Sequence, residues 1–368
     1  MDQGNAPPII LLFLSRGWIA RKSGIAADPS GKDQKMKIDK IDHSRKISRI
    51  RAIIQVGFTL FCLQAGYRFY HFYLWTQDRS EIFSSRPPSV EAFLPISALL
   101  ALKRLVLTGL WDRVHPAGLT IFLAALVIAW LLRKGFCGWI CPVGAVSNLL
   151  EKLGKSISIR LPKPIEYPLL GLKYLLLAFF VYIIFLKMDL PSIDAFIHSP
   201  YNMVADAKML EFFLQPSSLT LGVIGFLFLI SIAVRNFWCR YLCPYGALLG
   251  LLAIFSPLQV RRKASRCIDC RKCDKICPAF LKISNASTLR HPECIGCMEC
   301  IEVCPQKDCL TLETGSRRKL PIHAVPLAVV GLFALFYLAA VLTGNWDTSI
   351  PPEMLKRLYQ SGSTFAHP

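Results

Sequence analysis

Apolar residues in this chain are gathered into long clumps separated by short basic stretches, the pattern of membrane helices. The first clump, Arg51 to about Trp75, is long enough to cross about 30 Å of hydrocarbon. Tyr67, Tyr70, Tyr73 and Trp75 form an aromatic belt at its far end. Ala117 to Leu132, Pro168 to Leu186, Leu219 to Val234 and Pro326 to Thr343 follow as the second to fifth spans. Phe93 to Trp111 is also apolar, but Lys103 and Arg104 stand at its middle and Pro95 near its start. Each charge at a helix centre costs about 2.5–3.5 kcal/mol on insertion, so this segment is expected to be an interfacial or re-entrant helix. The pattern predicts an α-helical integral membrane protein of about five transmembrane helices, with a polar cysteine-rich insert before the last span.

Composition and charge sharpen this. The chain has 368 residues, is 53% hydrophobic and has a mean hydropathy of +0.42, which excludes an ordinary soluble domain. A formal charge of +19 on a soluble domain would suggest nucleic acid, but no stacking-aromatic pattern accompanies it. Lys and Arg accumulate instead in alternate loops: 31 lie in residues 1–50, 133–167 and 235–322, against 9 in 74–116, 187–218 and 344–368. The positive-inside rule then places the N-terminus and the cysteine-rich insert in the cytoplasm and the C-terminus outside. The expected divisions are a basic, disordered segment over 1–50, a membrane domain over 51–260, the insert over 262–315, a final helix over 321–343 and a tail over 344–368. Met1 to Pro8 lacks the basic region of a signal peptide. The first thirty-five residues read as a dispensable extension or a misplaced start, and no function is assigned to them.

The insert carries the strongest chemistry. Cys267-x2-Cys270-x2-Cys273-x3-Cys277-Pro is repeated as Cys294-x2-Cys297-x2-Cys300-x3-Cys304-Pro, the bacterial spacing for 4Fe–4S ligation. Three thiolates two residues apart wrap one cubane, and the fourth reaches the other. One cluster is therefore assigned to Cys267, Cys270, Cys273 and Cys304, and the second to Cys294, Cys297, Cys300 and Cys277. Structural zinc usually takes two pairs of ligands, not two identical quartets closed by proline. Disulfides would need an oxidising compartment. The stretch resembles the two-cluster ferredoxins over about fifty-five residues, Arg262 to Gly315, which implies a small pseudo-symmetric α+β fold.

A second cysteine device is also duplicated. Phe-Cys137-Gly-Trp-Ile-Cys141-Pro-Val-Gly-Ala follows the second span, and Trp-Cys239-Arg-Tyr-Leu-Cys243-Pro-Tyr-Gly-Ala follows the fourth. Cysteines four apart on a helix share a face, so each pair can present two thiolates, and pseudo-symmetry would pool them into one four-thiolate site. Buried packing is the plainer account of such thiols, but it does not explain the shared spacing and Pro-x-Gly-Ala tail. Iron–sulfur, another metal and dithiol exchange stay open for these four; c-type haem is disfavoured because C-x-x-C-H is absent.

Together, CGWICPVGA, CRYLCPYGA and both quartets resemble the NapH/NosR/CcoG group of membrane iron–sulfur proteins, from about Arg49 to Thr343. Arg51-x-x-x-Gln55 and Glu91 to Ser97 (Glu-Ala-Phe-Leu-Pro-Ile-Ser) reinforce the likeness, which is nearest to the NapH type. The resemblance implies quinol oxidation, with electrons passed through two 4Fe–4S clusters to a partner reductase in a bacterial inner membrane. NosR-type members add a large extracytoplasmic flavin domain and CcoG-type members a C-terminal immunoglobulin-like domain. Neither is found here, and the extracytoplasmic tail departs from the plain NapH type.

The function expected is a membrane electron-transfer component of a quinol dehydrogenase, working between the quinone pool and a redox protein partner. The alternative is an accessory protein that reduces a metal during assembly of another respiratory enzyme. Arg261, Arg262, Lys263, Arg266, Arg271 and Lys272 would raise cluster potentials and dock an acidic carrier, or simply obey the positive-inside rule. Arg68 and His71 in the aromatic belt, and His115 and His198 on the outer side, are candidate quinone or proton groups, with snorkelling as the plainer account of the first two. Cys62 reads as packing and Cys309 as a ferredoxin core residue. No Gly-rich nucleotide loop follows a strand, so direct NAD(P)H oxidation is not supported.

Overall fold

In the computed structural model, residues 46–361 are described, apart from 155, 156, 158 and 160. The expected disordered segment up to residue 45 lies outside them. Helix α1 (Lys46–Thr76) is followed by a 3-10 turn (Pro88–Phe93), α2 (Pro95–Thr108), α3 (Pro116–Leu132) and α4 (Pro142–Leu153). Then come α5 (Lys163–Val181), the short helices α6 (Leu190–Ile197) and α7 (Pro200–Met203), and α8 (Ala205–Leu214), α9 (Ser218–Ala233) and α10 (Pro244–Ile254). The cysteine-rich insert carries β1 (Gln259–Arg262), α11 (Lys272–Ile276), β2 (Thr288–Leu289), α12 (Glu299–Glu302), β3 (Leu310–Glu313) and β4 (Lys319–Leu320). Helices α13 (Ala324–Leu342) and α14 (Pro352–Gln360) close the chain.

Helix α3 is the axis of the bundle. Ala117, Leu119, Ala125, Ile128 and Ala129 on it are fully enclosed, packed against α2, α10 and α13. It is apolar all round because it is surrounded by protein. Helices α1, α5 with its π-helical extension to Lys187, and α13 are each long and apolar enough to cross a membrane. Helix α9 has 16 residues and turns 82° from α8, and α3 has 17. A helix thus stands at each of the five expected spans, and three of them meet the length of a full crossing.

Helix α2, at 14 residues, extends about 21 Å, too short to span. Its two charges are satisfied by protein. Lys103 Nζ donates to the carbonyls of Ile184, Phe185 and Met188 at 2.9, 3.2 and 2.6 Å, taking up orphan carbonyls where the α5 extension ends. Arg104 pairs with Asp194 at 2.5 Å.

The insert forms an antiparallel sheet in the order β2-β1-β3-β4. Strand β1 pairs Val260 with Leu289 on one side and with Leu312 on the other. The sheet starts before and ends after the residues 262–315 expected from the cysteine pattern. Val260, Leu289, Leu310 and Leu312 join the same hydrophobic core as Trp139, Ile128 and Val329 of the bundle, so the insert is fused to the bundle.

Candidate metal centres

Two cavities lie in the insert. The outer one is lined by Cys267, Cys270, Cys273 and Cys304, with Arg262 and Cys309 beside them. The inner one is lined by Cys277, Cys294, Cys297 and Cys300. Each cysteine triplet therefore shares a cavity with the last cysteine of the other motif. The local cause repeats too: Asp269 and Arg271 turn through the left-handed region at φ 50° and 54°, as Gly296 and Met298 do at φ 64° and 62°. These residues occupy equivalent places in the two motifs, and such turns curl a loop around a concavity.

The donor set fits an iron–sulfur cluster. Burial pushes the Cys297 and Cys300 thiols well above their ordinary value, so a cationic core is needed to hold them as thiolates. Among the described residues, no three His, Cys, Asp or Glu side chains converge as ligands of one metal ion.

The two C-x3-C-P motifs fold alike, but not as the continuous helix expected for cysteines four apart. Cys137 lies in a π-helical turn (Phe136–Ile140) and Cys239 in its counterpart (Trp238–Leu242). Cys141 N–H donates to Phe136 O and Cys243 N–H to Trp238 O, both at 3.0 Å and both spanning five residues. Cys141 and Cys243 then adopt extended backbone as the N-caps of α4 and α10, with Pro142 and Pro244 at the first helical position. The Gly246 N–H points at Cys243 Sγ, 3.2 Å away, whereas Cys141 caps α4 without a side-chain hydrogen bond. All six pairings among the four thiols are within electrostatic range. The four thiols of the two repeats thus lie near one another as a pool of free cysteines, beside two helix N-termini. Lys134, Tyr245 and Ser147 border it.

Sequence reading missed the charge network beneath this site. Lys173 is fully buried on α5 and reaches Glu293 Oε1 at 2.6 Å; Tyr174 donates to the same oxygen at 3.0 Å, and Lys134 approaches Oε2 at 3.5 Å. Burial alone would raise the Glu293 carboxyl, but Lys134 and Lys173 hold it down, to about 2. In the sequence, its signals were Lys173, a charge near one end of the third span, and Glu293 beside Cys294.

The other candidates scatter. Cys62 is half-buried on α1, and Cys309 lines the outer cavity. Arg68 is exposed and donates to Ser85 Oγ at 2.8 Å, while His71 meets the Tyr67 ring edge-on at 4.6 Å. His198 is exposed, with Nδ1 2.9 Å from Asp194 O. His115 is buried instead in a polar cluster at the opposite end of α3 from the cysteines. Its Nε2 lies 2.8 Å from Asn202 O and its Nδ1 3.5 Å from Glu91. Arg86 pairs with both Glu91 and Asp206 at 2.7 Å, and Tyr359 of α14 donates to Asp206 at 2.8 Å.

Known proteins share these features. The 4Fe-4S binding domain family matches residues 114–160 and 216–263, one copy over each C-x3-C-P motif, and the 4Fe-4S dicluster domain family matches 259–305. The putative electron transport protein YccM of Escherichia coli is 38% identical over 297 residues, covering 78% of this chain and 83% of that protein. This chain belongs to that family. Ferredoxin-type protein NapH of Haemophilus influenzae is 29% identical over 48% of this chain and 58% of its own length, and regulatory protein NosR of Stutzerimonas stutzeri 31% identical over 43% and 22%. The family is that of NapH/NosR-like membrane iron–sulfur electron transport proteins, as the motifs imply. No solved structure matches the chain.

Proposed function

We propose that this protein carries electrons from a quinol in the bilayer, through thiolate-bound iron, to a redox protein on the cytoplasmic side. The observation that carries the reading is the exchange of cysteines between two cavities in one fused insert. Cys267, Cys270, Cys273 and Cys304 are assigned to one 4Fe–4S cluster, and Cys277, Cys294, Cys297 and Cys300 to the other. Cys137, Cys141, Cys239 and Cys243 are assigned to a third centre shared by the two repeats. Bound at these sites, iron–sulfur clusters supply one-electron transfer. The chain supplies burial, N–H donors and the charges that set potential.

The sites lie in an order. The inner cavity faces the bundle, where Cys277, Cys297 and Cys300 are buried. The outer cavity is flanked by exposed Lys263, Arg266 and Arg271, a basic rim suited to an acidic carrier. Five crossings, with the insert cytoplasmic and α14 outside, satisfy both the charge asymmetry and the burial of Lys103.

The test is anaerobic iron and sulfide analysis of detergent-purified protein, followed by EPR after a water-soluble quinol and then dithionite. About twelve irons are expected from three four-iron sites, falling by about four in Cys137→Ser or Cys239→Ser, with signals appearing on quinol addition. Clusters that respond to dithionite alone would point to the accessory, metal-reducing role. Protein without iron would sink both readings.

A further inference from the structure

Beside the thiol pool and the inner cavity, the backbones of the first repeat and the insert touch. Gly138, next to Cys137, meets Ile295, next to Cys294; a Cβ on Gly138 would collide with the Ile295 carbonyl oxygen and come within 3.5 Å of the Ile295 side chain. Only a hydrogen fits. The contact is pinned from the membrane side: Gly138 O accepts from Arg51 Nε at 2.9 Å and from Gln55 Nε2 at 3.0 Å, both bonds buried. Arg51 also pairs with Glu299, between Cys297 and Cys300, at 2.8 Å. One side chain thus holds both partners in place. One residue further along each strand of the contact, the fully buried Trp139 donates Nε1 to Gly296 O at 3.0 Å.

The second repeat is not built this way. The residue after Cys239 is Arg240, whose guanidinium reaches Ala279 O at 2.7 Å, two residues beyond Cys277, and also pairs with Glu166. There a long side chain reaches across to the insert, whereas the first repeat meets it backbone to backbone. The pseudo-symmetry of the repeats is broken at this position.

We propose that the Gly138–Ile295 contact, clamped by Arg51 and Gln55, is the electron path from the membrane thiol pool to the inner ferredoxin site. The proposal rests on the reading of both as redox centres. What passes is one electron per event, from a site reduced by the quinol to its oxidised neighbour. At the contact itself no bond forms or breaks and no proton moves; each quinol loses two protons and two electrons to become quinone, and the two electrons cross in successive one-electron events. Gly138, Arg51 and Gln55 are positioning residues, setting the separation across which the electron moves.

The test compares Gly138→Ala with Gly250→Ala in full-length, iron-loaded protein. Gly250 on α10 faces the same loop, its added Cβ falling 2.7 Å from Pro292 O, but it adjoins no cysteine. Gly138→Ala is expected to slow quinol-driven reduction of the ferredoxin-site signals several-fold. It should also weaken the magnetic coupling between those signals and that of the thiol pool, with iron content and dithionite reduction unchanged. Gly250→Ala is expected to leave the rate and the coupling as they are. Equal slowing in both variants, or none in Gly138→Ala, overturns the path. If Gly138→Ala loses iron, Gln55→Leu decides the matter on the same two readouts, because it removes one of the two donors that clamp the Gly138 carbonyl without adding an atom at the contact. A wild-type protein that holds iron but is not reduced by quinol removes the functional reading, and the path falls with it.

Discussion

Lys173 shows how far a single residue can stand from its explanation. It reads in sequence as a stray charge near one end of a span. In the structure it is sealed against a carboxylate 120 residues away. Lys173→Met would leave Glu293 buried beside Lys134 alone, and breaking one side of a buried pair costs about 3–5 kcal/mol; denaturant midpoints in detergent measure it. Cys309 is the opposite case, a lone thiol that shares the outer cavity with four others. Cys309→Ser is expected to keep all the iron and shift one EPR signal, whereas loss of about four irons would make it a ligand. At the outer end, burial tends to lower the His115 pKa, but the adjoining Glu91 outweighs this and raises it above its ordinary 6.5, with Arg86 opposing and Asp206 assisting. The protonated ring's contribution is therefore fully present below 6.5 and lost as pH rises through the raised value. Amide exchange of α14, tied to the cluster through Tyr359 and Asp206, should quicken across that window once intrinsic exchange is corrected for. In His115→Gln the dependence should vanish.

At the scale of elements, the hydrophobic clumps located every helix expected to span, because a buried or lipid-facing helix has to be apolar over its whole length. Local pattern did not reveal the π-helical turns. The cysteines four apart promised an α-helical face, yet Pro142 and Pro244 lack the N–H that would continue the ladder and mark a fresh N-terminus. The π-helical turn ahead of each is what aims the cysteines inward. The start of α1 depends equally on remote residues. Ile47 N–H donates to the Glu302 carboxylate at 2.7 Å and Ser48 N–H at 3.4 Å, so the ferredoxin insert caps the first membrane helix. Glu302→Ala should cost about 1 kcal/mol, the usual worth of an N-cap, read as an earlier unfolding transition with iron content unchanged.

Over the whole molecule, the proposed orientation, with the insert cytoplasmic, rests on the charge asymmetry of the loops. Single-cysteine reporters at Ser265, beside the outer cavity, and at Ser349, near α14, are expected to be labelled from opposite faces of sealed vesicles. Labelling of both from one face would require an even number of crossings between them. By itself, the sequence determined the helical membrane class, the two ferredoxin quartets and the duplicated C-x3-C-P motif, because each is written in the spacing of residues close together along the chain. Tertiary structure decided which partners Lys103, Lys173 and His115 meet, and that Gly138 touches Ile295. Those facts depend on residues tens to hundreds of positions apart. Their meeting is set by the packing of α1, α3, α10 and α13 around one core with the insert, and no local pattern records it.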